Sequence, residues 1–186
     1  LPKDPRRDTL EGLLDLFARS DPAHARELAQ KRLTLGSDPL ATYVLGFALG
    51  RLGLESASEV LGQAHAELRE SDNPFHNRLA SRALAAQALF DGDLGLGRQA
   101  LQGRDPLAYV LVAKLHTPED SVYAEALYDQ AVELGPENAL VHYARWQYHN
   151  DKLENSSSAL SSWHSYLSLS PSGERAERVL TARSEP

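Results

Sequence analysis

The sequence predicts an all-α protein built from consecutive amphipathic helices. Strand signals are scarce, because isoleucine is absent and no alternating Val/Thr run lies between hairpin turns. Instead, short segments rich in Ala and Leu alternate with Gly, Pro and Asp. The predicted helices are, in order, Thr9–Arg19, Ala23–Leu33, Pro39–Leu52, Glu55–Glu70, Pro74–Phe90, Leu94–Gln102, Pro106–His116, Ser121–Leu134, Ala139–Asn150, Ser157–Ser168 and Ser172–Ala182.

The ends of several helices are marked by capping residues. Asp38 and Asp105 each precede a proline, which places a carboxylate at the N-cap and proline at the first helical position. Gly53 and Gly92 follow apolar helical segments, where a left-handed C-cap residue is expected. These signals divide the chain into helices joined by short turns.

Two segments near the C-terminus repeat one pattern. They are "AEALYDQAVELGPEN", Ala124–Asn138, and "SALSSWHSYLSLSPSG", Ser158–Gly173. Small, aromatic and proline residues recur at one offset of 35 in the two segments. The matched pairs are Ala124 and Ala159, Tyr128 and Trp163, Ala131 and Tyr166, Leu134 and Leu169, and Pro136 and Pro171. A fixed period of this length indicates an array of helical repeats.

The repeated pattern resembles the second helix of a tetratricopeptide repeat, and it is also similar to the related Sel1-like repeats. "TYVLGFAL", Thr42–Leu49, resembles the first-helix signature of the same family, with Gly46 where the two helices of a hairpin cross. The resemblance covers about Pro39–Pro171. It implies an α-solenoid of antiparallel helix pairs, with about four to five repeats and roughly ten to eleven helices in one domain spanning residues 1–186. The implied units are a degenerate first pair at 9–36, repeats at 39–72, 74–104, 106–137 and 139–171, and a C-terminal capping helix at 172–182.

One glycine motif suggests a different function. Gly95-x-Gly97-x-x-Ala100 matches the fingerprint of dinucleotide-binding folds, which requires a β-strand directly before the glycines. An Ala-rich helical segment precedes them, and no β-branched residue lies between Phe75 and Leu107. We therefore expect no bound cofactor, and we interpret Leu94–Gln102 as the weakest helix of the array.

The chemistry-bearing residues predict neither catalysis nor a metal site. The chain has no cysteine, no HExxH and no Gly-x-Ser-x-Gly elbow. His142 and His149 are two helical turns apart, too far to share an ion without other ligands. The serine-rich stretch "NSSSALSS" is interpreted as an inter-helix turn with an N-cap. We expect a protein that is not an enzyme.

Charge and hydropathy limit the partners. The net charge is −7 with no basic stripe, so the chain should repel nucleic acid. No apolar run reaches the length of about 18 residues that a membrane span needs. The expected partner is a protein or a peptide, and self-association is an open alternative.

The resemblance also implies where such a partner would bind. In tetratricopeptide arrays the first helix of each pair lines a concave groove, and helical spacing selects the residues that face it. The groove residues expected on this basis are Leu40, Tyr43, Phe47, Leu79, Arg82, Leu89, Tyr109, His116, Val141 and Tyr148. The alternative is that these side chains belong to the core.

The sequence therefore predicts a non-catalytic scaffold or adaptor that binds an apolar or amphipathic segment in its groove and aids the assembly or localisation of a larger complex. Alternatives are a helical-repeat part of a larger enzyme or export machine, or a self-associating structural module. The chain contains no methionine, which fits a processed lipoprotein or exported protein as well as a trimmed fragment. A bacterial periplasmic or outer-membrane-attached location is favoured, with a cytoplasmic adaptor as the alternative.

Overall fold

The computed structural model describes residues 21–153, 157–171 and 176–177. This part of the chain is helical and contains no strand, which confirms the all-α prediction for it. The helices are α1 (Pro22–Leu33), α2 (Pro39–Arg51), α3 (Ala57–Arg69), α4 (Pro74–Asp91), α5 (Leu94–Ala100), α6 (Pro106–His116), α7 (Ser121–Leu134), α8 (Ala139–Leu153) and α9 (Ser157–Leu169), with a 3-10 turn at Leu101–Gly103 between α5 and α6. The helix predicted at Thr9–Arg19 lies outside the described residues, as does most of the capping helix predicted at Ser172–Ala182.

The predicted caps are confirmed. The side chain of Asp38 accepts hydrogen bonds from the backbone N–H groups of Leu40 and Ala41, and Asp105 accepts in the same way from Leu107 and Ala108. Each cap satisfies N–H groups that the first helical turn leaves without a partner. Gly53 and Gly92 have φ of 69° and 71°, the left-handed conformation that ends α2 and α4.

The glycine motif lies within α5, so no strand presents its glycines to a phosphate. Asp93 is the N-cap residue of this helix, and its carboxylate accepts from Gly95 N and Leu96 N at 2.8 and 3.0 Å. The helix is seven residues long, shorter than predicted, because the last turn tightens into the 3-10 segment.

The chain divides into two compact units, Leu1–Arg104 and Asp105–Pro186. In the described part of the first unit each of α1 to α5 packs against its neighbour in sequence, and α2 also contacts α4. Small residues allow these close approaches: Gly46 on α2 lies against Leu61 on α3, and Gly50 lies against the ring of Phe90 on α4. The core face of α4 is largely alanine, with Ala80, Ala83, Ala85, Ala86 and Ala88 buried.

In the second unit, α6 to α9 also pack as neighbours in sequence, and α6 contacts α8. Buried aromatic and small side chains join the last helices into one cluster. It contains Tyr143, Trp146, Ala159, Tyr166 and Ala176. The ring centroids of Tyr143 and Tyr166 are 5.3 Å apart, which is a contact distance for a tilted aromatic pair.

Candidate functional site

The ten side chains predicted to face a groove differ in their exposure. Six of them are buried: Tyr43, Phe47, Leu79, His116, Val141 and Tyr148. Leu40, Arg82, Leu89 and Tyr109 are half-buried. A partner could contact the first six only after a local rearrangement, whereas the other four retain accessible area. Six of the ten residues lie in the first unit and four in the second.

In the first unit, Tyr43 and Phe47 belong to a row of aromatic rings that ends at Phe90. The ring centroids of Tyr43 and Phe47 are 6.1 Å apart, and those of Phe47 and Phe90 are 5.9 Å apart in an edge-to-face arrangement. Tyr43 is fully buried, whereas Phe90 is half-buried. The row therefore reaches the surface at Phe90.

Phe90 forms one wall of a surface cleft of about 230 Å³, which we call the Leu54–Phe90 cleft. The turn between α2 and α3 forms the other wall, because the left-handed Gly53 directs the chain back so that Leu54 N donates to Leu49 O at 3.0 Å. Leu54 is 41% exposed. Leu54 and Phe90 are the two large apolar side chains in its lining.

The same cleft carries two carboxylates at its rim, those of Glu55 and Asp91. Asp91 is held by a short hydrogen-bonded chain: Gln87 Nε2 donates to Ser58 Oγ at 3.2 Å, and Ser58 Oγ donates to Asp91 Oδ2 at 2.6 Å. The apolar walls can contact an apolar group of a ligand, and the fixed carboxylate beside them can attract a nearby cation.

In the second unit, the predicted residues pack against other helices. The hydroxyl of Tyr148 donates to Ser121 O at 2.7 Å, and its ring lies 4.8 Å from that of Tyr128. Burial raises the pKa of both tyrosines, with the carboxylate of Glu125 adding to the effect at Tyr148. Both hydroxyls therefore remain protonated donors at neutral pH. The imidazole of His116 packs edge-on against Tyr123, with 4.7 Å between centroids.

The two histidines that share a face of α8 have different surroundings. His142 Nε2 donates to Pro136 O at 2.8 Å. His149 is fully buried, and neither of its ring nitrogens has a hydrogen-bond partner in the described part of the chain. Burial lowers the pKa of His149, and the nearby Arg145 guanidinium lowers it further, whereas Glu125 and Asp129 act in the opposite direction.

Arg145 connects three helices of the second unit. Its Nε and Nη2 atoms lie 2.9 and 2.7 Å from Asp129 Oδ1 on α7, and its Nη1 donates to Ser162 Oγ on α9 at 2.9 Å. Since the guanidinium is bonded to both of these side chains, Arg145 has a structural role. Across the described ranges, no three His, Asp or Glu side chains lie close enough together to hold a metal ion.

The Leu54–Phe90 cleft is not among the sites predicted from the sequence. Phe90 is the last residue of a predicted helix, and Leu54 lies between the helices predicted at Pro39–Leu52 and Glu55–Glu70. The available signal was an apolar residue at each of these two helix ends, beside Gly53 and Gly92. Which helix ends lie side by side depends on packing between residues more than 30 positions apart.

The chain matches no protein-family model, and comparisons with curated proteins and with solved structures give no match. Of the helices in the described residues, none combines the length and apolar character that crossing a membrane requires.

Proposed function

We propose that this chain is a tetratricopeptide-like helical-repeat scaffold that binds an apolar or amphipathic segment of a partner protein. Three features support the solenoid arrangement: neighbouring helices pack in sequence order, next-but-one contacts recur in both units, and Gly46 lies at a helix crossing. Stacked pairs of this kind offer extended surfaces for protein recognition.

The observation that carries the binding proposal is the Leu54–Phe90 cleft. It combines two partly exposed apolar side chains with two carboxylates in one concavity. A single apolar side chain of a partner would fill it, as anchor residues do at protein interfaces. Of the predicted groove residues, Phe47 supports this site from below through its contact with Phe90.

Charge defines the partner further. Glu55 and Asp91 lie at the rim, and the whole chain carries a net charge of −7. A segment with Lys or Arg beside its apolar anchor would be attracted, and such rim charges act mainly on the association rate. The partner is therefore an amphipathic segment with basic flanking residues. Binding of this partner would aid the assembly or localisation of a larger protein complex. We propose a bacterial envelope complex.

The test begins with affinity capture from the native host and mass spectrometry of the bound proteins. Binding of the captured partner is then measured by calorimetry with the Leu54→Ser variant. We expect roughly five- to tenfold weaker binding, because truncating an anchor contact typically costs about 1 kcal/mol or more.

Leu35→Ser is the matched control, since Leu35 is 67% exposed and lies after α1, outside the cleft. It should bind as the wild type does. Equal affinity of Leu54→Ser and wild type for the partner would rule out the cleft. Light scattering separates this result from self-association, which would appear as a dimer without any partner.

A further inference from the structure

A second cleft in the first unit has a different chemistry from the Leu54–Phe90 cleft. It encloses about 270 Å³ between α3, α4 and the segment that follows Gln99. Six of its ten lining residues have polar side chains: His65, Arg69, Asn77, Ser81, Gln99 and Gln102. We call it the His65–Arg69 cleft.

The secondary structure explains why these groups converge. His65 and Arg69 are one helical turn apart on α3, and Asn77 and Ser81 are one turn apart on α4, so each pair shares a face. The 3-10 turn lies directly on α4, because a Cβ added at Gly103 would fall 2.7 Å from Ser81 Cβ. This close approach brings Gln102 of the 3-10 turn into the lining of the same cleft.

The orientation of His65 is fixed by one hydrogen bond. Its Nδ1 lies 2.9 Å from Ala80 O. A carbonyl oxygen can only accept, so Nδ1 carries the proton and Nε2 is the ring nitrogen left for a ligand. When the ring takes up a second proton, Nε2 becomes a cationic donor.

The charge of the cleft is wholly basic. Arg69 is the one fully charged residue of its lining, which includes no carboxylate, and within the described residues Arg69 makes no ion pair. A guanidinium matches the geometry of a carboxylate through two parallel hydrogen bonds.

We propose that the His65–Arg69 cleft binds a carboxylate. Arg69 pairs with it, Nε2 of protonated His65 donates to it, and the side chains of Asn77, Gln99 and Gln102 hydrogen-bond the polar groups beside it. The carboxylate can belong to a peptide C-terminus or to a free small organic acid. One guanidinium and one imidazole suit a single negative charge better than a dianionic phosphate.

Binding is coupled to protonation. Neutral His65 presents a lone pair at Nε2, which repels a carboxylate oxygen, whereas the protonated ring donates to it, so carboxylate binding is accompanied by proton uptake at His65. The groups facing His65 across the cleft are uncharged, namely Asn77 and Ser81 on α4 and Gln99 and Gln102 beyond it, and Arg69 on its own helix is the one charged neighbour in the lining.

The experiment titrates the intact protein with propionate, with an acetylated Gly-Gly peptide and with the same peptide amidated at its C-terminus. Amide NMR shifts locate the site and calorimetry gives the affinity. We expect shifts in α3, α4 and the 3-10 turn with ligands that carry a carboxylate, and none with the amidated peptide. Tighter binding of either acid identifies the source of the carboxylate.

Arg69→Gln should weaken binding at least about tenfold, whereas the exposed Arg78→Gln, which removes the same charge from α4 outside the cleft, should leave it unchanged. His65→Gln should remove the proton uptake that accompanies binding. Equal loss in both arginine variants, binding of the amidated peptide, or a preference for inorganic phosphate would each overturn the proposal. None of these results bears on the Leu54–Phe90 cleft.

Discussion

At the scale of single residues, His149 has the least satisfied polar side chain in the described part of the second unit. It is fully buried, with both ring nitrogens lacking a hydrogen-bond partner there. A buried imidazole without partners is far more stable neutral than protonated, because the charged form loses its hydration. The Arg145 guanidinium opposes protonation as well.

This environment predicts a pH-dependent stability. The folded protein keeps His149 neutral, while the unfolded chain takes up a proton below about pH 6.5, so the unfolded state binds more protons in acid. The free energy of unfolding should therefore fall as the pH drops from about 7 to about 5, by at most about 1.4 kcal/mol per pH unit from this group. Urea unfolding followed by circular dichroism across this range measures the slope.

The His149→Leu variant should have a smaller slope than the wild type and be more stable at about pH 5.5, because leucine fills a similar volume without polar atoms. His164→Gln is the control, since His164 lies exposed on α9 and should leave the slope unchanged. A slope that survives in His149→Leu would assign the pH dependence to other groups.

At the scale of helices, alanine substitutions at two glycines, one facing α3 and one on it, should change the stability in opposite directions. A Cβ built on Gly46 of α2 meets Leu61 Cγ at 2.8 Å and the backbone N of Leu61 at 3.0 Å. Backbone cannot rotate away as a side-chain tip can, so Gly46→Ala must separate α2 from α3. We expect a loss of about 1–3 kcal/mol in the free energy of unfolding, as for other overpacked sites, measured from the urea midpoint.

Gly62→Ala is the matched substitution on α3. Its new Cβ would meet only the side chain of Gln87, at 3.6 Å, which is ordinary contact. Alanine is a better helix former than glycine by about 1 kcal/mol, so this variant should be more stable than the wild type. Similar effects of the two substitutions would mean that helix propensity, and not the crossing at Gly46, decides stability here.

At the scale of the whole molecule, the sequence predicted helices better than surfaces. Each of α2, α4 and α6 begins with a proline after an Asp or Asn N-cap, and a left-handed glycine follows α2 and α4, so the predicted ends agree with the structure within a residue. Helical spacing shows which side chains share a face but not whether another helix covers that face. Tyr43 and Val141 were therefore assigned to a groove, although both are fully buried. The two clefts were missed because their walls come from residues distant in sequence.

The last part of the first unit, from α5 to Arg104, is the segment that we expect to open most readily. α5 has seven residues, two of them internal glycines, and it continues into a 3-10 turn whose hydrogen bonds are weaker than those of an α-helix. Arg104 then adopts a left-handed conformation with φ of 49°, which costs a non-glycine residue about 1–2 kcal/mol. By contrast, α4 is 18 residues long with seven buried side chains.

Hydrogen exchange followed by mass spectrometry should therefore show faster deuterium uptake in peptides covering residues 94–104 than in peptides covering α4 or α6. Gly95→Ala should slow this uptake by at most about fivefold, because alanine stabilises the helix by up to about 1 kcal/mol while its Cβ would press at 3.1 Å on Asp93 Oδ1, the oxygen that caps the helix. Exchange across 94–104 as slow as in α4 would contradict the prediction. It would mean that the contact of Gly103 with Ser81 stabilises the segment more than its glycines and left-handed residue weaken it.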